Sequence, residues 1–425
     1  MADLSESIAP KATWARPESA SKLVLRNILG IVSRFFRRYL KWRRVLYIQY
    51  TNPGCYPPLQ HSSQILASAG CEIFFLGTES FGSSRVLSLP PDPRIRVTKL
   101  SFPSGGTLGL HYLWYCWRIM WGIFCWRPAW LYASDILSCP PALMASIVAG
   151  VQVIFHEHDA PSPKHSAFSR FLFWSRTRLA RRASLNILPS ASRAQHFQKE
   201  TQATVVKVVW NCPSVREIQH PKADDSDSFV IYYHGNISPS LLPIAAVTSL
   251  KFLPDSIVLR IVGYETVGSI GYTKDILKTA ASLGFGLRVF VEPPVPRFEL
   301  LKICRQGDAG LALFPKPTGL GDSYAGASNK VFDYLCCGMP VIVPDSPEWK
   351  DFFYGAKLAI ACNPSDPKSI AEAVLWLYTH RKDARLMGDH GRERILKEWN
   401  YEEQFRPVLK FLTSNCDASS ARLRR

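Results

Sequence analysis

A chain of 425 residues exceeds one ordinary hydrophobic core and fits two α/β domains with short appendages. With 47% hydrophobic and 20% charged residues it has globular proportions, which excludes wholesale disorder. A formal net charge of +17 points to a phosphate-bearing partner, but no nucleic-acid reading motif accompanies it, so an anionic membrane surface is expected and nucleic acid is not.

Residues 1–44 concentrate that charge, with ten Lys or Arg against Asp3, Glu6 and Glu18. Leu25, Ile28, Phe35, Phe36 and Leu40 alternate with Arg26, Arg34, Arg37, Arg38 and Arg44. This is the pattern of a basic amphipathic helix, either lying on a membrane or packed on the next domain with its basic face in solvent. The N-terminus has no charged n-region and apolar h-region, so no secretory signal is expected. Eleven cysteines include no C-x-x-C pair, and Cys336 with Cys337 read as small apolar residues of a reduced, cytoplasmic protein. The aromatic stretch 111–133 is broken by Arg118 and Arg127 and falls short of a span of about 20 residues. Its Trp114, Trp117, Trp121 and Trp126 suit either a bilayer interface or packing under a sheet.

From Val45 the chain repeats one unit: a β-rich apolar run, a turn, then a helical pattern. Strands are expected at 45–50, 71–77, 95–100, 130–133, 151–155, 185–188 and 205–210. A second series follows at 229–233, 257–262, 287–291, 309–314, 340–343 and 358–361. These runs predict two Rossmann-like, doubly wound parallel-sheet domains, 45–210 and 228–400. Residues 211–227, with Asp224, Asp225 and Asp227, have the composition of a solvated linker rather than a metal site. Residues 401–425 are expected to be a helix end followed by a polar tail, disordered from Ser414.

The strongest motif is Ser-Asn-Lys-Val-Phe-Asp-Tyr-Leu-Cys-Cys-Gly-Met-Pro-Val-Ile-Val, 328–343. Ser328 can cap a helix whose free N–H groups suit a diphosphate, and Lys330 adds a full charge close to that end. The alternative is an ordinary helix with a Lys330–Asp333 surface pair. With Tyr-Tyr-His-Gly-Asn at 232–236, Ile-Val-Gly-Tyr at 261–264 and Gly-Asp-Ala-Gly-Leu-Ala-Leu-Phe at 307–314, this segment resembles the family 4 glycosyltransferases of GT-B fold. The resemblance covers about residues 45–400 and implies two domains facing a central cleft. It implies that Asp333 binds the nucleotide ribose, that Gly235, Asn236, Ser328, Asn329 and Lys330 hold the donor diphosphate, and that Gly263 and Tyr264 meet the base.

In the first half, Phe-His-Glu-His-Asp-Ala-Pro-Ser-Pro at 155–163 resembles the phosphatidylinositol mannosyltransferase branch, which implies His156 beside the reacting sugar carbon. Glu157, His158 and Asp159 are then assigned to the acceptor, with orientation of His156 the alternative role for His158 and Asp159. The same four side chains are all metal ligands, but neighbours on an extended chain rarely converge on one ion, so no metal is expected. The loop Asn52–Pro58 and its helix offer Asn52, Tyr56 and His61 as acceptor-binding residues, or a merely rigid turn. The family's usual Arg and Lys after the Gly turn are missing here, where Asn236, Leu241 and Leu242 stand. Its second carboxylate is replaced by Ala325, with Asp322 out of register.

The implied activity is transfer of a sugar, with retention of anomeric configuration and without a cofactor. The donor would be a nucleotide-diphosphate sugar and the acceptor a lipid-linked glycan or polysaccharide at the cytoplasmic membrane face. A non-catalytic scaffold, a membrane-associated binding protein and a sugar-nucleotide epimerase of the same fold remain the alternatives.

Overall fold

The computed structural model describes residues 41–80, 82–102, 107–159, 161, 166–220, 228–315 and 324–423. The N-terminal domain runs β1 (Lys41–Ile48), α1 (Pro57–Ser68), β2 (Glu72–Thr78), β3 (Ile95–Leu100), α2 (Leu108–Trp126), β4 (Pro128–Ser134), α3 (Cys139–Val148), β5 (Gln152–His156), α4 (Ala167–Arg182), β6 (Leu185–Leu188), α5 (Ala191–Thr201) and β7 (Val206–Val208). The C-terminal domain runs β8 (Phe229–Asn236), α6 (Ala245–Thr248), β9 (Ile257–Tyr264), α7 (Tyr272–Ser282), β10 (Val289–Glu292), α8 (Arg297–Cys304), β11 (Ala309–Leu311), α9 (Asn329–Cys336), β12 (Val341–Pro344), β13 (Ala359–Cys362), α10 (Pro367–Thr379) and α11 (Arg381–Lys397). A last helix, α12, spans Tyr401–Leu423.

Among the described residues the strands form a seven-stranded sheet, β3-β2-β1-β4-β5-β6-β7, and a six-stranded one, β10-β9-β8-β11-β12-β13. Every pairing is parallel. Strand order reverses between β1 and β4 in one sheet and between β8 and β11 in the other, and open α/β sheets bind ligands at the carboxyl ends of strands at such switch points. Central strands are apolar runs buried on both faces, as helices on each side require. β4, Pro-Ala-Trp-Leu-Tyr-Ala-Ser, is buried at every position.

The expected α/β fold and all the expected strands are present, while three boundaries differ. The basic arm ends before Lys41, because β1 begins there and pairs at Lys41 with Pro128 of β4. Arg44, expected on the arm helix, instead pairs with Glu72 at 2.8 Å and donates to the Trp126 carbonyl. The remainder of the arm, residues 1–40, lies outside the described residues. The segment after β7 is no solvated linker where it is described: Asn211, Cys212 and Ser214 are buried, and a 3-10 turn occupies Val215–Glu217. The acidic cluster 224–227 lies outside the described residues. Finally, helix continues past Ser414 to Leu423, and α12 returns to the first domain. Its Tyr401, Phe405, Val408 and Leu412 are buried in the N-terminal core, which ties the end of the chain to its beginning.

Candidate functional site

The carboxyl ends of the two sheets face one cavity of roughly 610 Å³. On its C-terminal side, β8 and β9 end with Gly235 opposite Gly263 and Asn236 opposite Tyr264. A Cβ on Gly263 would stand 2.0 Å from the Gly235 carbonyl oxygen, so only glycine permits this close approach. Gly235 also sits at φ +101°, in the region other residues avoid. It does not form the turn expected after the strand, because β8 continues through Asn236; a short helical stretch follows, α6 running on into a 3-10 turn at Ser249–Phe252.

Helix α9 delivers the charge. Ser328 is its N-cap and accepts from the Lys330 amide at 3.3 Å. Tyr334 locks the helix onto the sheet by filling the space above Gly310, where a Cβ would fall 2.3 Å from its ring. Its hydroxyl donates to the Leu311 carbonyl at 3.1 Å and accepts from the His234 amide at 3.3 Å. Lys330 then extends across Gly235, with Nζ 5.4 Å from the Tyr233 ring centre and 5.8 Å from that of Phe314. Among the described residues no carboxylate forms an ion pair with it, so the Lys330–Asp333 surface pair is not formed. Burial lowers its pKa to about 8, against a smaller upward pull from Asp333.

Asp333 lines the cavity but is already engaged. It takes Arg297 in two hydrogen bonds, 2.8 and 3.1 Å, and His234 Nε2 lies 3.2 Å from its Oδ2. Arg297 also forks onto Glu217 at 2.7 and 2.9 Å, and Glu217 lies 2.8 Å from His61 Nε2. A buried chain of polar groups thus runs from α1 of the first domain, through the connecting segment, to α9. Burial works to raise the Asp333 carboxyl, but Arg297 and the His234 hydrogen bond outweigh it and leave it below its ordinary value. Of the acceptor sites carried by a carboxylate, three are used, and one lone pair remains for a ribose hydroxyl.

The sequence pointed to neither Arg297 nor Glu217. Both stand in proline-rich or loop sequence without periodicity, and only the fold brings them together.

On the N-terminal side, Asn52, Tyr56, His158 and Asp159 line the cavity, whereas His156, Glu157 and His61 do not. His156 is fully buried as the last residue of β5. Its Nδ1 is 2.6 Å from the Tyr132 hydroxyl, and burial, with His158 beside it, holds its pKa well below normal. It lies beneath His158, the rings 3.8 Å apart, so the imidazole that lines the cleft is that of His158. Glu157 faces away and forms a buried, forked ion pair with Arg176 of α4. His61 is the far end of the polar chain described above. Asn52 spends its amide on Ser84 and Leu87 carbonyls and its oxygen on the Gly54 amide, which makes it the organiser of a rigid loop.

His158 is held by its backbone, since Arg193 donates to its carbonyl at 2.7 Å. Both its ring nitrogens are buried and unpaired. Burial and Arg193 lower its pKa to about 3, so at neutral pH it is an uncharged hydrogen-bonding group. Asp135, at the end of β4, was not foreseen: it adopts φ +72°, caps Ser138, and burial raises its carboxyl to about 7. Among the described residues no group of three or more His, Cys, Asp or Glu is placed to hold a metal.

Residues 246–410 match a family model described as glycosyl transferase-like. The solved sucrose-phosphate synthase of Thermosynechococcus elongatus superposes with a TM-score of 0.70 at 15% identity, covering 88% of this chain and 99% of that one. The chain has the GT-B fold. HepE of Anabaena, solved with UDP and glucose, is similar at TM-score 0.67 and 15% identity, covering 87% and 99%. A putative UDP-N-acetylglucosamine 2-epimerase from Listeria monocytogenes shares the fold at TM-score 0.56 and 14% identity, covering 88% and 97%. No curated protein sequence matches the chain. At such identities it is the GT-B architecture that is shared, and the chemistry must be argued from the cleft. Here the cleft joins a cation with no ion pair among the described residues and closely approaching glycine backbone on one wall to neutral imidazole, phenol groups and the Asp159 carboxyl on the other. Such a site can bind an anion and position a neutral, hydroxyl-rich group beside it.

Proposed function

We propose that the chain is a glycosyltransferase that moves a sugar from a nucleotide-diphosphate sugar to a glycan or lipid-linked acceptor. The observation that carries this reading is Lys330. A half-buried ammonium that forms no ion pair among the described residues, laid over a glycine that leaves its backbone bare, suits a diphosphate. Bond cleavage at the anomeric carbon leaves negative charge on that diphosphate, and Lys330 with the capped N-terminus of α9 is placed to stabilise it. These groups supply the charge that a metal would otherwise supply, so EDTA should leave turnover unchanged. Asp333 accepts a ribose hydroxyl on its remaining lone pair while Arg297 and His234 hold it in place. His158 orients the transferred sugar, in the role first expected of His156, and Tyr56 and Asp159 meet the acceptor.

The reaction retains the anomeric configuration, as the family resemblance implies, and the acceptor is met at the cytoplasmic membrane face. Retention is read from the anomeric proton couplings of the product, and an inverted product would refute it.

The first test is thermal stability against a panel of nucleoside diphosphates and nucleotide sugars, for the parent and for Lys330→Ala. Selective stabilisation lost in the variant supports the donor site. A cooperative melt that no nucleotide shifts overturns it in favour of a scaffold. The likeness to an epimerase structure keeps one enzymatic rival: interconversion of sugar nucleotides with no acceptor present would establish that activity instead.

A further inference from the structure

Helix α2 is apolar on both faces. His111, Tyr112, Tyr115, Ile119 and Ile123 pack inward, while Leu110, Leu113, Trp114, Trp117, Trp121 and Phe124 form a continuous stripe in solvent at helical spacing. Trp117 and Trp121 are 54% and 53% exposed and stack on each other with ring centres 5.8 Å apart. Helix α3 packs against both α2 and α4, and α4 reaches α2 at Phe168, edge-on to Tyr112 at 5.6 Å; it too turns Phe171 and Trp174 outward. Solitary exposed apolar residues are ordinary, but a row along one helix, continued on a second that touches it, marks a docking face.

The charges say what docks. Neither α2 nor α4 contains a single Asp or Glu, and their outer residues include Arg170 and Arg178, the latter over the Trp174 ring at 5.9 Å. Tryptophan rings flanked by arginine fit the headgroup level of an anionic bilayer, where the indole is favoured and phosphate meets guanidinium. No helix among the described residues is long and apolar enough to cross a membrane, so this face would rest on the surface.

We propose that the outer face of α2 and α4 docks on an anionic lipid bilayer and sets the acceptor side of the cleft at the lipid surface. The second half of the statement follows from continuity. Trp114 touches His111, His111 stacks on Phe102 at 4.3 Å and lies 2.7 Å from the Tyr50 hydroxyl, and both Phe102 and Tyr50 line the cavity. An acceptor anchored by an apolar chain in the bilayer would reach the site along this wall. That placement rests on the transferase reading; the docking does not.

The test is co-flotation of the full chain with vesicles of phosphatidylglycerol and phosphatidylcholine, compared with phosphatidylcholine alone, without donor or acceptor. W117A/W121A and F171A/W174A are compared with I270A/L287A, exposed apolar residues of the other domain. Each of the first two pairs should lower partition onto anionic vesicles at least about tenfold, and the last should not change it. Cooperative thermal melting shows that each variant is folded.

Parent-like partition of both Trp pairs overturns the proposal, as does partition that ignores phosphatidylglycerol. Loss of all binding on deleting residues 1–40, with the Trp variants unaffected, transfers docking to the arm and overturns it too. A parent dimer that the Trp substitutions dissolve, with no vesicle binding, makes the face a self-association surface instead. Because the readout needs neither sugar nor nucleotide, failure of the transferase reading would leave this result standing.

Discussion

The two walls of the cleft are built on sheets of the same strand order and do opposite electrostatic work. Among the described residues the C-terminal wall keeps one cation without an ion pair at Lys330 and ties Asp333 into a chain that crosses to the first domain, His234–Asp333–Arg297–Glu217–His61. The N-terminal wall neutralises what it buries: burial drives the His156 and His158 protons off, and Glu157 is matched by Arg176. An anion is therefore expected on one wall only, and the other is suited to neutral hydroxyls. Substitutions that alter each wall separately should break or sharpen that contrast.

The largest effect is expected from Arg297→Met. It leaves Glu217 and Asp333 buried side by side with no cation between them, and removing one partner of such a set costs about 3–5 kcal/mol. The denaturation midpoint should fall accordingly, and nucleotide binding should fall with it, because α9 loses its anchor. Arg176→Met should cost stability in the same way through Glu157 yet leave nucleotide affinity intact. Equal loss of nucleotide binding in both would show that the walls are not independent.

Gly263→Ala comes next. The added methyl meets the Gly235 carbonyl at 2.0 Å, a backbone atom that cannot rotate away, so β8 and β9 must part at the cavity, where the diphosphate is proposed to bind. A loss of about 1–3 kcal/mol is expected in chemical denaturation, together with loss of the nucleotide-induced thermal shift.

On the other wall, His158→Ala should lower kcat about 100-fold with little change in stability. His156→Ala should do the reverse, because it strips Tyr132 of its 2.6 Å partner and opens a cavity under the sheet. If His156→Ala alone abolished turnover in a stable protein, the assignment of the roles would have to be exchanged.

That exchange shows what was legible in the chain. That the residues assigned to the donor would share a cavity was readable because they lie in one short helix or at strand ends. Ser328, Lys330, Gly235, Gly263 and Tyr264 reach the cavity by backbone position alone, and a capped helix or a Gly–Gly pairing leaves little choice of direction. The residues assigned to the acceptor at 157–159 follow one another in extended chain, where a shift of one residue reverses the face and the last strand residue is covered by what comes after. His156 is buried by His158, and Glu157 turns to α4. The strand series was legible because each run is apolar and bounded by turns. The return of α12 to the first domain was not, because a polar stretch after Ser414 looks the same whether or not Tyr401, Phe405, Val408 and Leu412 before it have a distant sheet to cover. Arg297 illustrates the same limit: its partners are 80 and 36 residues away.

The smallest effect isolates Lys330 by pH. Its pKa in the free protein is about 8, below the ordinary 10.5, because burial penalises the charged form. Below pH 8 the ammonium is already present and a diphosphate binds without taking up a proton. Above pH 8 binding must first restore that proton, so affinity should fall about tenfold per pH unit until the raised pKa of the complex is passed. Folding without ligand has the opposite sign. Between pH 8 and 10.5 the unfolded chain holds a proton that the folded chain has released, so this residue's contribution to stability grows as pH rises through that window. Titrating a nucleoside diphosphate at pH 7 and pH 9 should thus show weaker binding at pH 9 without a less stable free protein. Lys330→Ala should bind roughly 10–100-fold more weakly at pH 7 and lose the pH dependence. Lys330→Arg, charged throughout, should flatten the profile while keeping part of the affinity. A profile that bends near pH 8 in the Ala variant as well would move the titration to another group, and with it the case for Lys330 as the cation that meets the diphosphate.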